Sequence, residues 1–143
     1  MSRSRPLLPR PARSARTRTL SAAGLAGPLI GMAVLHGLVP KQFDALVPGW
    51  IPGTARFWTY ASGVAELAVG AAVAVPATRR VGAGAAVGLF LGVFPANLQM
   101  AWDAWHDWRS GEVGGWYAWG TLARLPLQLP MIWWAWRVRL RTR

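Results

Sequence analysis

Four apolar runs, each of roughly twenty residues, with the charges gathered into short blocks between them, constrain this chain more than anything else in it. A run of that length crosses ~30 Å of hydrocarbon as an α-helix. Inside a bilayer every backbone N–H and C=O must be satisfied within the protein, which leaves helices as the natural solution here. The runs cover about 20–39, 57–75, 81–102 and 116–136. The expected fold is therefore all-α, an integral membrane four-helix bundle occupying residues 20–138. The 143 residues amount to one domain.

The flanking segments set an orientation. Residues 1–19 carry six arginines among Pro and Ser, a composition that cannot bury a core and is expected to form a disordered basic tail. No A-x-A-like cleavage site follows Val39, so the first run reads as a retained anchor rather than a signal peptide. Residues 139–143 form a second short basic tail. One side of the membrane would hold twelve cationic residues, including Arg79, Arg80 and Arg137, and the other only Lys41, Arg56 and Arg109. That asymmetry places both termini in the cytoplasm. Tryptophans agree: Trp50, Trp58, Trp102, Trp105, Trp108, Trp116 and Trp119 mark the outer interface, and Trp133, Trp134 and Trp136 the inner one. The first outer loop, 40–56, is too short to span, and Lys41–Val47 is expected to lie in the interface as a short amphipathic segment.

Net charge +11 would suit nucleic acid, but the charge sits in blocks rather than on one face of a soluble unit, so no nucleic-acid partner is expected. The chain has no cysteine, which removes disulfides, thiol redox chemistry, iron–sulfur clusters and CxxCH haem attachment. No H-x-x-H or E-x-x-H spacing suggests a metal, and no nucleotide or Ser–His–Asp motif stands out. Arginine outnumbers lysine fifteen to one, and Ala, Gly and Pro are abundant, which points to a GC-rich bacterial source; for a multi-pass helical protein the expected location is then the inner membrane.

Within the runs, two charges stand out. Glu66 is roughly 13 Å along the second helix from its outer end, and Arg124 roughly 12 Å along the fourth. A charge at that depth normally faces the protein interior and finds a partner. Their matched depth suggests a bidentate Glu66–Arg124 pair. His36, Asn97 and Gln128 fall in the same outer half, and Tyr117, Thr121, Arg124 and Gln128 share one face of the fourth helix. The simpler reading is that the charged pair only joins two helices. His106, in a charged Trp-rich segment, reads as a solvated interface residue. Gly84, Gly88 and Gly92 on the third helix, and Thr59, Gly63, Glu66 and Gly70 on the second, form small-residue stripes that favour close helix packing.

The segments LHGLVPKQFDALVPGWIPG (35–53), SGVAELAVGAAVAVPATRR (62–80), VFPANLQMA (93–101) and RLPLQLPMIWWAW (124–136) together resemble the DoxX-like family of small four-helix bacterial membrane proteins, over about residues 22–138. The resemblance implies that His36, Glu66, Asn97, Arg124 and Gln128 occupy the family's characteristic polar positions. It also implies a link to quinone-coupled or oxidative-stress redox systems. The chain itself carries neither cysteine nor a flavin motif nor a haem site, so electron transfer would need a quinone or a partner subunit. The leading expectation is an accessory subunit with a polar pocket for a quinone or similar small molecule, lined by those five residues and without a covalently bound cofactor. The alternatives are a scaffold that recruits soluble or membrane redox subunits, and a small proton-linked transporter in which Glu66 or His36 titrates.

Overall fold

The computed structural model describes residues 12–142, and all five elements in it are helices: α1 (Ala12–Leu38), α2 (Pro40–Asp44), α3 (Ala55–Ala74), α4 (Arg79–Ser110) and α5 (Gly115–Arg141). Three of them, through Ala15–Leu38, Ala55–Ala74 and Arg79–Ser110, are long and apolar enough to cross a membrane. At 27 residues α5 has the length, but Arg124, Gln128, Pro126 and Pro130 interrupt its apolar middle. Large apolar side chains such as Val64, Val81, Leu91 and Leu129 point outward. That surface suits lipid rather than water.

The helices extend past the apolar runs because a helix stops at a chemical stop signal, not where hydrophobicity ends. Residues 12–19, expected within a disordered tail, contain neither Gly nor Pro and are helical; the rest of that tail, 1–11, lies outside the described residues. α5 likewise runs to Arg141, through most of the expected C-terminal tail. α4 continues to Ser110 and ends at Gly111, whose φ of 86° is left-handed. There Gly111 N–H donates to Trp108 O at 3.1 Å and Glu112 N–H to Asp107 O at 2.8 Å, the two bonds of a Schellman C-cap. α3 opens on Thr54, whose Oγ1 accepts from Phe57 N–H at 3.2 Å.

The turn between α3 and α4 is closed by Arg79, which is buried. Its Nε donates to Val73 O at 3.0 Å and its Nη2 to Ala74 O at 2.9 Å, while Thr78 Oγ1 donates to Ala72 O at 2.9 Å. These are carbonyls of the last turn of α3, which have no partner within the helix. Val75, extended before Pro76, ends α3 at that point.

α1 packs along α3, α3 along α4 and α4 along α5, with a thinner contact between α1 and α5. This order sets α3 and α5 across the diagonal of the bundle. Midway along α1, Ala22, Leu25, Ala26 and Leu29 join Val73, Ala83, Ala86, Phe90, Ala135 and Val138 in one apolar core. Its small side chains permit close backbone approach.

The glycine stripes behave differently from each other. A Cβ at Gly63 would lie 2.9 Å from His36 Cβ, and one at Gly70 would lie 2.8 Å from Ile30 Cγ1, so this stripe is the α1–α3 seam. Gly88 and Gly92 meet nothing, and Gly84 meets only the Arg139 side chain. The close approach on α4 is made instead by Gly82, where a Cβ would come within 2.6 Å of the Ala72 and Val73 backbone. Gly82→Ala therefore forces backbone apart and should cost ~1–3 kcal/mol, seen as a lower thermal midpoint in detergent. Gly88→Ala and Gly92→Ala should leave the midpoint unchanged or raise it. Equal loss from all three would mean that the 84–92 stripe is packed after all.

Candidate functional site

The α1–α3 seam carries a titratable couple, the only one within the apolar helices among the described residues. His36, near the end of α1, is buried, and its Nδ1 lies 2.9 Å from Met32 O and 3.1 Å from Glu66 Oε2. A carbonyl oxygen can only accept, so Nδ1 carries the proton and donates it to Met32 O. The carboxylate of Glu66 sits beside that N–H, off its axis. Glu66 Oε2 is thus a buried oxygen without a hydrogen-bond donor among the described residues. Leaving such an atom unsatisfied is costly. The two side chains meet because Gly63, one turn from Glu66 on α3, leaves room for the His36 Cβ.

α2 covers this couple. Phe43 stacks on the His36 imidazole with ring centroids 3.8 Å apart and planes 26° from parallel. Asp44 fastens α2 to α3: its Oδ2 accepts from Arg56 Nε at 2.9 Å and lies 2.8 Å from Arg56 Nη2, and its Oδ1 accepts from Thr59 Oγ1 at 2.7 Å. The Arg56 hydrogen bond first, then that of Thr59, hold the Asp44 carboxyl below its ordinary range. The sequence reading missed this clamp, since Arg56 counted only toward topology and Asp44 only as part of the Lys41–Val47 interfacial segment.

The expected Glu66–Arg124 pair does not form. Arg124 lies on α5, diagonally across from α3, and is exposed, with no ion pair or hydrogen bond among the described residues. Thr121 and Gln128, from the same stripe of α5, turn inward instead. Gln128 Nε2 donates to Phe90 O in a short contact, and Asn97 Nδ2 donates to Gln128 Oε1 at 3.0 Å. This second couple joins α4 to α5 with both ends of the Gln128 amide engaged, the pattern of a structural bracket.

The five expected residues are thus distributed among a His36–Glu66 couple, an Asn97–Gln128 couple and a lone Arg124. No hydrogen bond or ion pair joins one couple to the other among the described residues. His106 is exposed and bonds back to Trp102 O at 2.9 Å, as an interface residue would. A cavity of about 180 Å³ lies elsewhere, between the 45–50 loop and the adjoining ends of α4 and α5, with Gln99, Asp103, Asp107 and Tyr117 on its wall.

Two measurements check this geometry. In a double-mutant cycle on thermal stability, His36→Leu and Glu66→Leu should be strongly non-additive, while Glu66→Leu and Arg124→Leu should add; the reverse pattern would restore the diagonal pair. The Asp44 clamp contributes stability above the ordinary Asp pKa, and that contribution fades as pH falls through the lowered folded-state value. The stability gap between wild type and Asp44→Asn should therefore be full at pH 7 and close in strong acid. A gap that persists undiminished at the lowest pH would show that the carboxylate charge is not what fastens α2.

A family model described as a domain of unknown function, DUF8561, matches residues 25–139. This stretch takes in α3, α4, both polar couples and Arg124, and leaves out the start of α1. No curated protein and no solved structure matches the chain. The chain belongs to the DUF8561 family.

Proposed function

We propose that this protein is a four-helix protein of the bacterial inner membrane, with both termini cytoplasmic. In this reading the His36–Glu66 couple binds the head group of a quinone-class molecule, as an accessory to a redox system whose electron carriers reside in partner subunits. The observation that carries the proposal is the buried Glu66 Oε2 without a donor, beside an imidazole face already engaged in ring stacking.

The chemistry follows from those two atoms and the ring. A hydroquinone hydroxyl is a donor, and a lone carboxylate oxygen is the acceptor it needs. The oxidised ring offers only carbonyl acceptors, for which a protonated Glu66 would be the donor. The couple is therefore suited to hold both redox forms by moving one proton, and His36 Nε2 is a second group able to take part. A planar six-membered ring would take the place that Phe43 fills on His36, which makes the α2 segment the part that yields on binding. The five-residue expectation is narrowed accordingly: Asn97 and Gln128 brace α4 against α5, and Arg124 stands outside the site. The DoxX-like resemblance points to the same ligand class.

Extraction of the protein purified in mild detergent, followed by mass spectrometry of the organic phase, tests this. Wild type and Arg124→Leu should carry an isoprenoid quinone or quinol, and His36→Leu and Glu66→Leu, of similar size but without the hydrogen-bonding atoms, should retain several-fold less. Undiminished retention in both folded variants, or no quinone in wild type, would leave the scaffold role as the better account. For topology, the absence of native cysteine makes single-site labelling clean. A membrane-impermeant thiol reagent applied to intact cells should label Glu112→Cys and not Ala77→Cys.

A further inference from the structure

The α1 N-terminal end of the bundle concentrates cations without a single acidic side chain. The antiparallel packing gathers Arg79 and Arg80 from α4, Arg137, Arg139 and Arg141 from α5, and Arg16 and Arg18 from α1 at one end. All five acids of the chain, Asp44, Glu66, Asp103, Asp107 and Glu112, lie elsewhere. Arg79 is committed to the α3 carbonyls, and Arg18 Nη1 reaches Arg141 O at 3.5 Å.

Arg80 and Arg139 are placed differently. Arg139 lies across the α4 surface at Gly84, where its Nη1 is 3.4 Å from the position a Cβ would take. Gly84 is one turn along α4 from Arg80 and on the same face. Gly84 thus serves as the floor on which a guanidinium rests rather than as a helix-packing residue. Arg139 is also held over the Trp136 ring, 5.2 Å from its centroid, and the neighbouring Arg137 over Trp133 at 5.0 Å. Stacking on indole fixes the planar fork before any ligand arrives. The first turn of α4 has no side-chain N-cap, so its free amides face the same end.

An exposed Arg80 one helical turn from the Gly84 floor that carries the Arg139 guanidinium, with no acidic side chain at this end of the bundle, calls for an anion from outside the chain. We infer that the Arg80–Arg139 face of α4 and α5 binds the phosphodiester head group of an anionic phospholipid in the adjoining leaflet. A phosphodiester accepts the bidentate hydrogen bonds that a guanidinium offers, and its acyl chains would lie along the apolar helix surface. A zwitterionic lipid brings the same phosphate but cancels its charge with an ammonium group. The inference rests on the membrane-spanning reading and not on the His36–Glu66 couple, so it predicts that Glu66→Leu leaves lipid binding untouched.

Native mass spectrometry of the full chain in neutral detergent, titrated with phosphatidylglycerol or phosphatidylcholine of identical acyl chains, tests it. Wild type should retain the anionic lipid about tenfold better. Arg80→Gln combined with Arg139→Gln should reduce that preference to near parity, and Arg109→Gln, at the opposite end, should keep it. Arg80 is exposed, so Arg80→Gln alone should fold and lose a measurable part of the preference even if the double variant does not fold. Equal retention of the two lipids by wild type would overturn the inference. So would a preference untouched in Arg80→Gln and in the folded double variant, or displacement of the lipid by low-millimolar inorganic phosphate.

Discussion

The absence of a side chain at Gly63 and Gly70 lets α3 lie against α1, and the rest of the arrangement depends on that closeness. With a Cβ at either position the helices would have to part, because the neighbouring atoms, His36 Cβ and Ile30 Cγ1, already stand within 3 Å of where it would be. Close approach brings the His36 imidazole to the Glu66 carboxylate. It also seats α2 across the top, where Phe43 stacks on His36 and Asp44 grips Arg56 and Thr59. Van der Waals contact between small residues thus positions a polar couple that the surrounding apolar helices would otherwise disfavour.

The two halves of the bundle use their polar residues differently. On the α4–α5 side, the Gln128 amide is engaged at both ends, by Asn97 and by Phe90 O, which fixes one helix against the other. On the α1–α3 side, the His36 proton goes to the chain's own carbonyl and leaves Glu66 Oε2 without a donor. A fully satisfied network rigidifies, and a buried oxygen without a donor is costly until a donor reaches it. That contrast is the physical basis for placing function on the first pair and structure on the second.

The apolar runs and the all-helical architecture were legible in the sequence because helix is the natural answer to twenty apolar residues in a row. The place of Glu66 well inside a helix was legible too, from residue counting. Its partner was not. Residue counting gives a position along a helix but says nothing about which helices are neighbours, and Arg124, at a matching count along α5, lies across the diagonal. Periodicity likewise showed that Gly84, Gly88 and Gly92 share a face without showing that the face is open. Arg79 read as a charge that sets topology, whereas it caps the end of α3. A signal for it existed, in a cation five residues beyond the last residue of a proline-terminated helix, but a sequence pattern cannot distinguish a capping arginine from a solvated one. Arg56 was legible as a charge on the outer side and Asp44 only as part of the 41–47 interfacial segment, not as a clamp, since they lie twelve positions apart across a loop.

Function on this reading depends on the Glu66 carboxyl group adjoining the Nδ1–H of His36 inside the helical bundle. Nitrogen-15 NMR of histidine-labelled protein in lipid bilayers, with His106→Gln removing the other imidazole, reads that atom directly. The expected result is an Nδ1-protonated His36 whose resonances shift in Glu66→Gln and stay in place in Arg124→Gln. An Nε2–H tautomer, or resonances indifferent to Glu66→Gln, would contradict it.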